Sequence, residues 1–99
     1  MVVDSQYTSY YIRFVLQQVR MPVSVNLLYD HKKNRVTPLA LRWDGEIKKV
    51  TSVDLHHSYR TGRTLFHVFS VSTQGAFFKL VLNTESLFWE VEEVACDGV

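Results

Sequence analysis

In 99 residues the chain has a single cysteine, Cys96, and two prolines, Pro22 and Pro38. One cysteine excludes an internal disulfide framework and a thiolate zinc cage, and it fits a reducing compartment better than a secreted one. The four glycines (Gly45, Gly62, Gly75, Gly98) stand apart from one another, so there is no glycine-rich loop to cradle a phosphate. No apolar run approaches the ~18 residues that a helical membrane span requires. The opening MVVDSQYTSYY also lacks the basic and apolar blocks of a secretory leader. The expectation is a cytoplasmic protein with no membrane partner. Net charge is scarce too: +1 overall is far from the strongly basic balance of a dedicated nucleic-acid binder.

What is present argues for a folded domain. Hydrophobic residues make up 46% of the chain and aromatic ones 13%, a composition that excludes intrinsic disorder. The length allows one core and burial of about two thirds of the unfolded surface. The charges are segregated. Residues 1–79 hold all 11 Lys and Arg with five acids, whereas residues 80–99 hold five acids and no base. The reading is that the acidic C-terminal strand neutralises a basic neighbour within an antiparallel sheet.

From Pro22 onward short β-prone runs alternate with turn signals. VSVNLLY places Val23, Val25, Leu27 and Tyr29 on one face, DHKKNR is a charged turn, and VTPLALRW turns Leu39, Leu41 and Trp43 inward. Pro38 donates no ladder bond and is expected at an edge or bulge. At Asp44-Gly45 a two-residue loop would set Trp43 against Glu46 and Leu41 against Lys48. A type I turn with a bulge at Gly45 is therefore preferred, pairing Arg42 with Glu46 and Leu41 with Ile47. Val53 and Leu55 keep the inward parity of Ile47 while Val50 breaks it, which predicts a bulge, or a strand covered on both faces, near Lys49.

Gln74-Gly75 fits a two-residue hairpin pairing Val71 with Phe78, Phe69 with Leu80 and His67 with Leu82. In LFWEVEEV, Leu87, Trp89 and Val91 face inward and Glu90 and Glu92 outward. The expected fold is all-β: a six-stranded antiparallel meander over residues 21–99, with a strongly curved sheet closing toward a small barrel. Residues 1–20 form an N-terminal arm. Tyr7, Tyr11, Phe14, Val15 and Gln18 lie at helical spacing behind cap residues Asp4 or Ser5, in competition with a β-forming composition; one N-terminal helix is the preferred reading.

The span from Pro38 to Val94, with TPLALRWDGEIKKVTSV, HVFSVSTQGAFFKLVLN and LFWEVEEV, resembles a family of small bacterial all-β domains of unknown function. In that family a proline and a Trp-x-Gly turn precede a basic strand, a second hairpin follows, and a tryptophan sits near the end. The matching positions here are Pro38, Trp43, Gly45 and Trp89. Some members are associated with translesion DNA polymerase proteins, so the resemblance implies a DNA-repair context. The chain has HHSYR where the family tends to have a Trp-Arg pair, and no catalytic residue is inherited.

Chemistry-bearing residues concentrate in DLHHSYRTGRTLFH, Asp54 to His67. Asp54, His56, His57 and His67 are metal-ligating types, but adjacent strand residues point to opposite faces, which leaves a His57–His67 pair across neighbouring strands. Two ligands make a poor structural site. For nucleic acid, Arg60 and Arg63 flank a glycine turn beside Tyr59 and Phe66, with Lys32, Lys33, Arg35, Lys48 and Lys49 available to extend a basic surface. For catalysis, Glu90, Glu92 and Glu93 read as solvated acids, and no nucleophile elbow surrounds Ser70 or Ser72. No catalytic residue, metal site, cofactor or small-molecule substrate is assigned. The candidate binding surface is Tyr59, Arg60, Arg63, Lys48, Lys49 and His56. The expected function is non-enzymatic: association with a protein partner or as a homodimer, with nucleic-acid binding through the Arg60 to Arg63 loop as the alternative and a metal-dependent enzyme as a distant second.

Overall fold

Turn chemistry cuts the chain into eight strands in the computed structural model, which describes residues 14–97. They are β1 (Phe14–Pro22), β2 (Ser24–Asp30), β3 (Arg35–Trp43), β4 (Glu46–Lys49), β5 (Ser52–Thr61), β6 (Thr64–Thr73), β7 (Ala76–Asn83) and β8 (Phe88–Asp97). Two antiparallel sheets result, a five-stranded one ordered β1-β8-β7-β6-β5 and a three-stranded one ordered β2-β3-β4. The all-β expectation holds. The expected closure toward a barrel does not, because both sheets are open. Among the described residues there is no helix, and so none long and apolar enough to cross a membrane.

The two strands beyond the expected six have separate causes. Residues 14–20, expected as the end of a helix, form most of β1 and run antiparallel to β8 from Phe14 opposite Asp97 to Pro22 opposite Glu90. A whole ladder on β8 outweighs a weak helical periodicity in a segment rich in β-formers. Residues 1–13 of the expected arm lie outside the described residues. The second extra strand comes from Val50, the position where the inward parity breaks. Val50 N–H bonds to Leu39 O at 2.9 Å in one sheet, and Thr51 N–H bonds to Ser72 O at 2.8 Å in the other. The irregularity is a crossing between sheets, so β4 and β5 are separate strands.

The Gln74-Gly75 hairpin has the expected register, with Val71 opposite Phe78, Phe69 opposite Leu80 and His67 opposite Leu82. The Asp44-Gly45 hairpin does not. Asp44 and Gly45 have φ of 53° and 78°, the mirror-image two-residue turn whose twist matches its strands, and it sets Trp43 against Glu46 and Leu41 against Lys48. The charged side chains are accommodated because Lys48 reaches Glu46 at 2.9 Å, leaving its alkyl stem beside the apolar positions. Ile47 consequently faces solvent, 65% exposed. Leu39, expected inward, is 43% exposed: the β2–β3 register shifts there, and Pro38, opposite Leu27 at the shift, is buried in its place.

Leu41 joins the sheets. It is 2% exposed and clusters with Phe69, Val71, Phe78, Leu80, Val91 and Val94 of the large sheet, while the Trp43 ring meets Phe78 edge-on at 5.9 Å. A bulge at Glu92 brings Val94 into this core. On the opposite face of the sheet, Lys79 Nζ lies 2.9 Å from Glu92 and 4.0 Å from Glu93, so an acidic β8 does neutralise a base on its neighbour. The Glu92 hydrogen bond is the main reason the Lys79 pKa is raised.

The register makes a stability prediction. Leu41→Ala should lower stability by about 3 kcal/mol through lost burial and a residual cavity. Ile47→Ala should stay within about 0.5 kcal/mol. Urea midpoints read both, and comparable losses would restore the bulged register that buries Ile47.

Candidate interaction surface

The β5–β6 hairpin turns at Gly62-Arg63, with Thr61 opposite Thr64. Gly62 has φ of 61° and Arg63 lies outside the positive-φ set, the pattern of a type II′ turn with glycine in first place. The pair flanking a two-residue turn exchanges both backbone bonds, and pairs alternate from there. Thr61, Tyr59, His57 and Leu55 therefore direct N–H and C=O toward β6. Arg60, Ser58 and His56 direct theirs away from it, along the outer edge of the sheet. Among the described residues no strand pairs with that edge. Nine of the ten β5 residues are exposed, Val53 being the half-buried exception, so the whole strand is accessible from the side.

Side chains divide by the same alternation. His56, Ser58 and Arg60 lie on the face toward the small sheet, and Leu55, His57 and Tyr59 on the outer face. His56 stacks on Phe69, its partner across the ladder, with ring centroids 4.2 Å apart and planes 5° from parallel. Its Nε2 is 2.9 Å from Nδ1 of His67, one ring donating and the other accepting. Partial burial is the main cause of a His56 pKa below the ordinary range, with smaller contributions from the nearby His67, His57 and Arg35. Arg35, Val36, Leu27 and Leu82 complete a cleft of about 470 Å³ between the two sheets.

The expected His57–His67 pair is thus replaced by His56–His67. His57 lies opposite Val68 on the outer face, whereas His56 sits diagonally from His67 on the inner one. Asp54 takes no part. It occupies a bulge between Val53 and Leu55, where its carboxylate accepts hydrogen bonds from the hydroxyls of Ser52 and Ser72 on the outer face; the Ser72 bond is the larger cause of its lowered pKa. Two imidazoles without a carboxylate remain. Among the described residues no three His, Cys, Asp or Glu come together as a metal-holding group.

The six candidate residues do not form one surface. Tyr59 lies on the outer face with its ring stacked on Phe66 at 5.0 Å. Arg60 and Arg63 are at the hairpin tip, Arg60 Nη1 donating to the Arg63 carbonyl at 3.4 Å, and His56 lines the inner cleft. Lys48 and Lys49 belong to β4 in the other sheet, at the Ser52 end of β5. Ten residues of strand, ~30 Å, separate them from the arginines. Leu55, read as inward from the sequence, is 55% exposed on the outer face, which it shares with Tyr59, four residues along the strand and 42% exposed. Val53 keeps the expected inward side opposite Val71, and the bulge at Asp54, which nothing in the sequence announced, changes the side of Leu55.

Comparison with protein-family models, with curated proteins and with solved structures finds no match.

The His56 environment sets a pH dependence. Its folded pKa lies below the unfolded value of about 6.5, so the unfolded chain takes up the proton first. The His56 contribution to stability is complete above about pH 6.5 and is lost as pH falls from there toward the folded pKa. Urea midpoints compared at about pH 7.5 and about pH 5.5, above the carboxylate range, should drop for the native chain and drop less for His56→Phe, which keeps the stack on Phe69. An equal drop in both would place the sensitivity elsewhere.

Proposed function

We propose that the protein is a non-enzymatic binding domain that works by protein–protein association through the open edge of β5, with self-association as the leading form. One observation carries this reading: a ten-residue strand, exposed almost throughout, with a backbone edge that no strand among the described residues pairs. Exposed edges invite strand addition, and proteins commonly guard them with lysine, proline, bulges or short length. Two of the other three outer strands have such guards. β4 is four residues long and carries Lys48 and Lys49, and β1 contains a bulge before Met21 and ends on Pro22. β2 also lacks lysine and proline, but at seven residues it is shorter than β5 and its ladder is broken by the bulge at Leu39 of β3. β5 has neither lysine nor proline, and its bulge at Asp54 leaves residues 55–61 regular.

The nucleic-acid alternative draws on Arg60, Arg63 and Tyr59 at one hairpin tip. It is the weaker reading, since Lys48 and Lys49 are a strand's length away and the whole chain carries only +1. Size-exclusion chromatography with light scattering at high micromolar concentration should give a dimer. Ser58→Pro should return it to a monomer, because the Ser58 N–H faces the open edge and its loss leaves the β5–β6 ladder whole. Circular dichroism checks that the variant is folded. A native chain that stays monomeric contradicts self-association, and a dimer indifferent to Ser58→Pro puts the contact away from β5.

A further inference from the structure

The sequence of β5 is nearly symmetric in chemical character about His57. Leu55 and Tyr59 stand two residues to either side, both exposed on the outer face, and His56 and Ser58 stand one residue to either side on the inner face. We infer that the occupant of this edge is β5 of a second copy of the chain, antiparallel, with a two-fold axis through the His57 position. The inference rests on the edge reading above and adds its partner and register.

Backbone geometry and side-chain pattern agree on that axis. In a symmetric antiparallel pair, residues equidistant from the axis lie opposite each other. His56 of one copy then faces Ser58 of the other, and these are the residues whose N–H and C=O point outward, so each such pair exchanges two backbone bonds. His57, Leu55 and Tyr59 fall in the alternate pairs, which have no mutual backbone bonds and the closer side-chain approach. Leu55 thereby meets Tyr59 of the second copy twice, covering apolar surface that is open in the single chain. An axis normal to the sheet keeps outer faces together, and the two five-stranded sheets become one continuous sheet.

Neighbouring axes fail on specific residues. An axis at Ser58 sets His56 against Arg60 and separates Leu55 from Tyr59. An axis at Tyr59 runs the pairing into the turn at Gly62-Arg63, and one at Leu55 or His56 runs it across the Asp54 bulge. That bulge also limits the ladder to residues 55–59, because Asp54 is held toward Ser52 and Ser72 and its backbone is out of register. A short ladder with one apolar pair on each side of the axis makes a dimer that forms at high protein concentration.

Cysteine cross-linking tests the register in a Cys96→Ser background, which removes the exposed native thiol. Opposed residues in a non-bonded antiparallel pair have Cα atoms about 4.5 Å apart, within disulfide reach. His57→Cys should form a disulfide-linked dimer under mild oxidation. Tyr59→Cys alone should not, since its own copy lies four residues along the partner strand, ~13 Å away. The Leu55→Cys/Tyr59→Cys double variant should link. Light scattering of the Cys96→Ser parent separates the two levels of failure. A dimeric parent that links through Tyr59→Cys and not His57→Cys overturns the axis and leaves edge association standing; a monomeric parent with no link in any variant overturns both.

Discussion

A three-stranded sheet cannot cover a five-stranded one. With strands spaced about 4.8 Å apart, a deficit of two strands leaves about 10 Å of the larger sheet without a facing layer. Leu41 and Trp43 are spent on the middle of that sheet, against Phe78, Leu80 and Val91 of β7 and β8 and Phe69 and Val71 of β6. β5 contributes no residue to the buried cluster. Its exposure follows from where the small sheet sits, and the small sheet sits where the crossing at Val50 and the tight Asp44-Gly45 turn put β4 and β3.

The same deficit shapes the cleft. The inner face of β5 borders a cleft between the sheets, and that is where the chain places polar rings. The His56 ring covers one face of Phe69 and satisfies a nitrogen on His67, so the margin is neither a dry core nor a bare surface. Deeper in, polar atoms are accounted for. Thr73, the one buried polar residue among those described, donates its hydroxyl to Ala76 O at 3.3 Å, and no buried side-chain nitrogen or oxygen there lacks a partner. The outer face is held differently, by Lys79 with Glu92 and Glu93 and by Asp54 with two serines. These local bonds fix the bulges at Asp54 and Glu92, and the first of them bounds the regular part of the β5 edge.

Much of the strand pattern was legible in the residues, because alternation and turn chemistry are local. The hairpin at Gln74-Gly75 and the placing of Pro38 at a bulge needed no knowledge of the second sheet. Where the reading failed, a residue took its contacts from outside its own ladder. Leu41 was expected to need an apolar partner across the hairpin. It is buried by the facing sheet instead, so Lys48 can stand opposite it and the turn can adopt its preferred shape. Phe14, Val15 and Gln18 show helical spacing, but β8 supplies a ladder that spacing cannot reveal. The site suffered most. Parity carried forward through Val53, which does face inward, crosses the bulge at Asp54, and that one extra residue exchanged His57 for His56 and turned Leu55 outward. Arg60, Arg63 and Tyr59 kept their place near one hairpin tip because all lie on the far side of that bulge.

The β5 edge is thus both an uncovered margin of the large sheet and a strand whose sequence nearly matches itself about His57. Residue-resolved amide exchange at low and high protein concentration tests that claim most directly. In dilute solution the amides of Leu55, His57 and Tyr59 should be protected by β6, while those of His56, Ser58 and Arg60 exchange freely. Raising the concentration should slow His56 and Ser58 and leave Arg60 fast, beyond the end of the paired segment. Rates at His56 and Ser58 that do not change with concentration, or that are already slow when dilute, would contradict an open edge that a second chain closes.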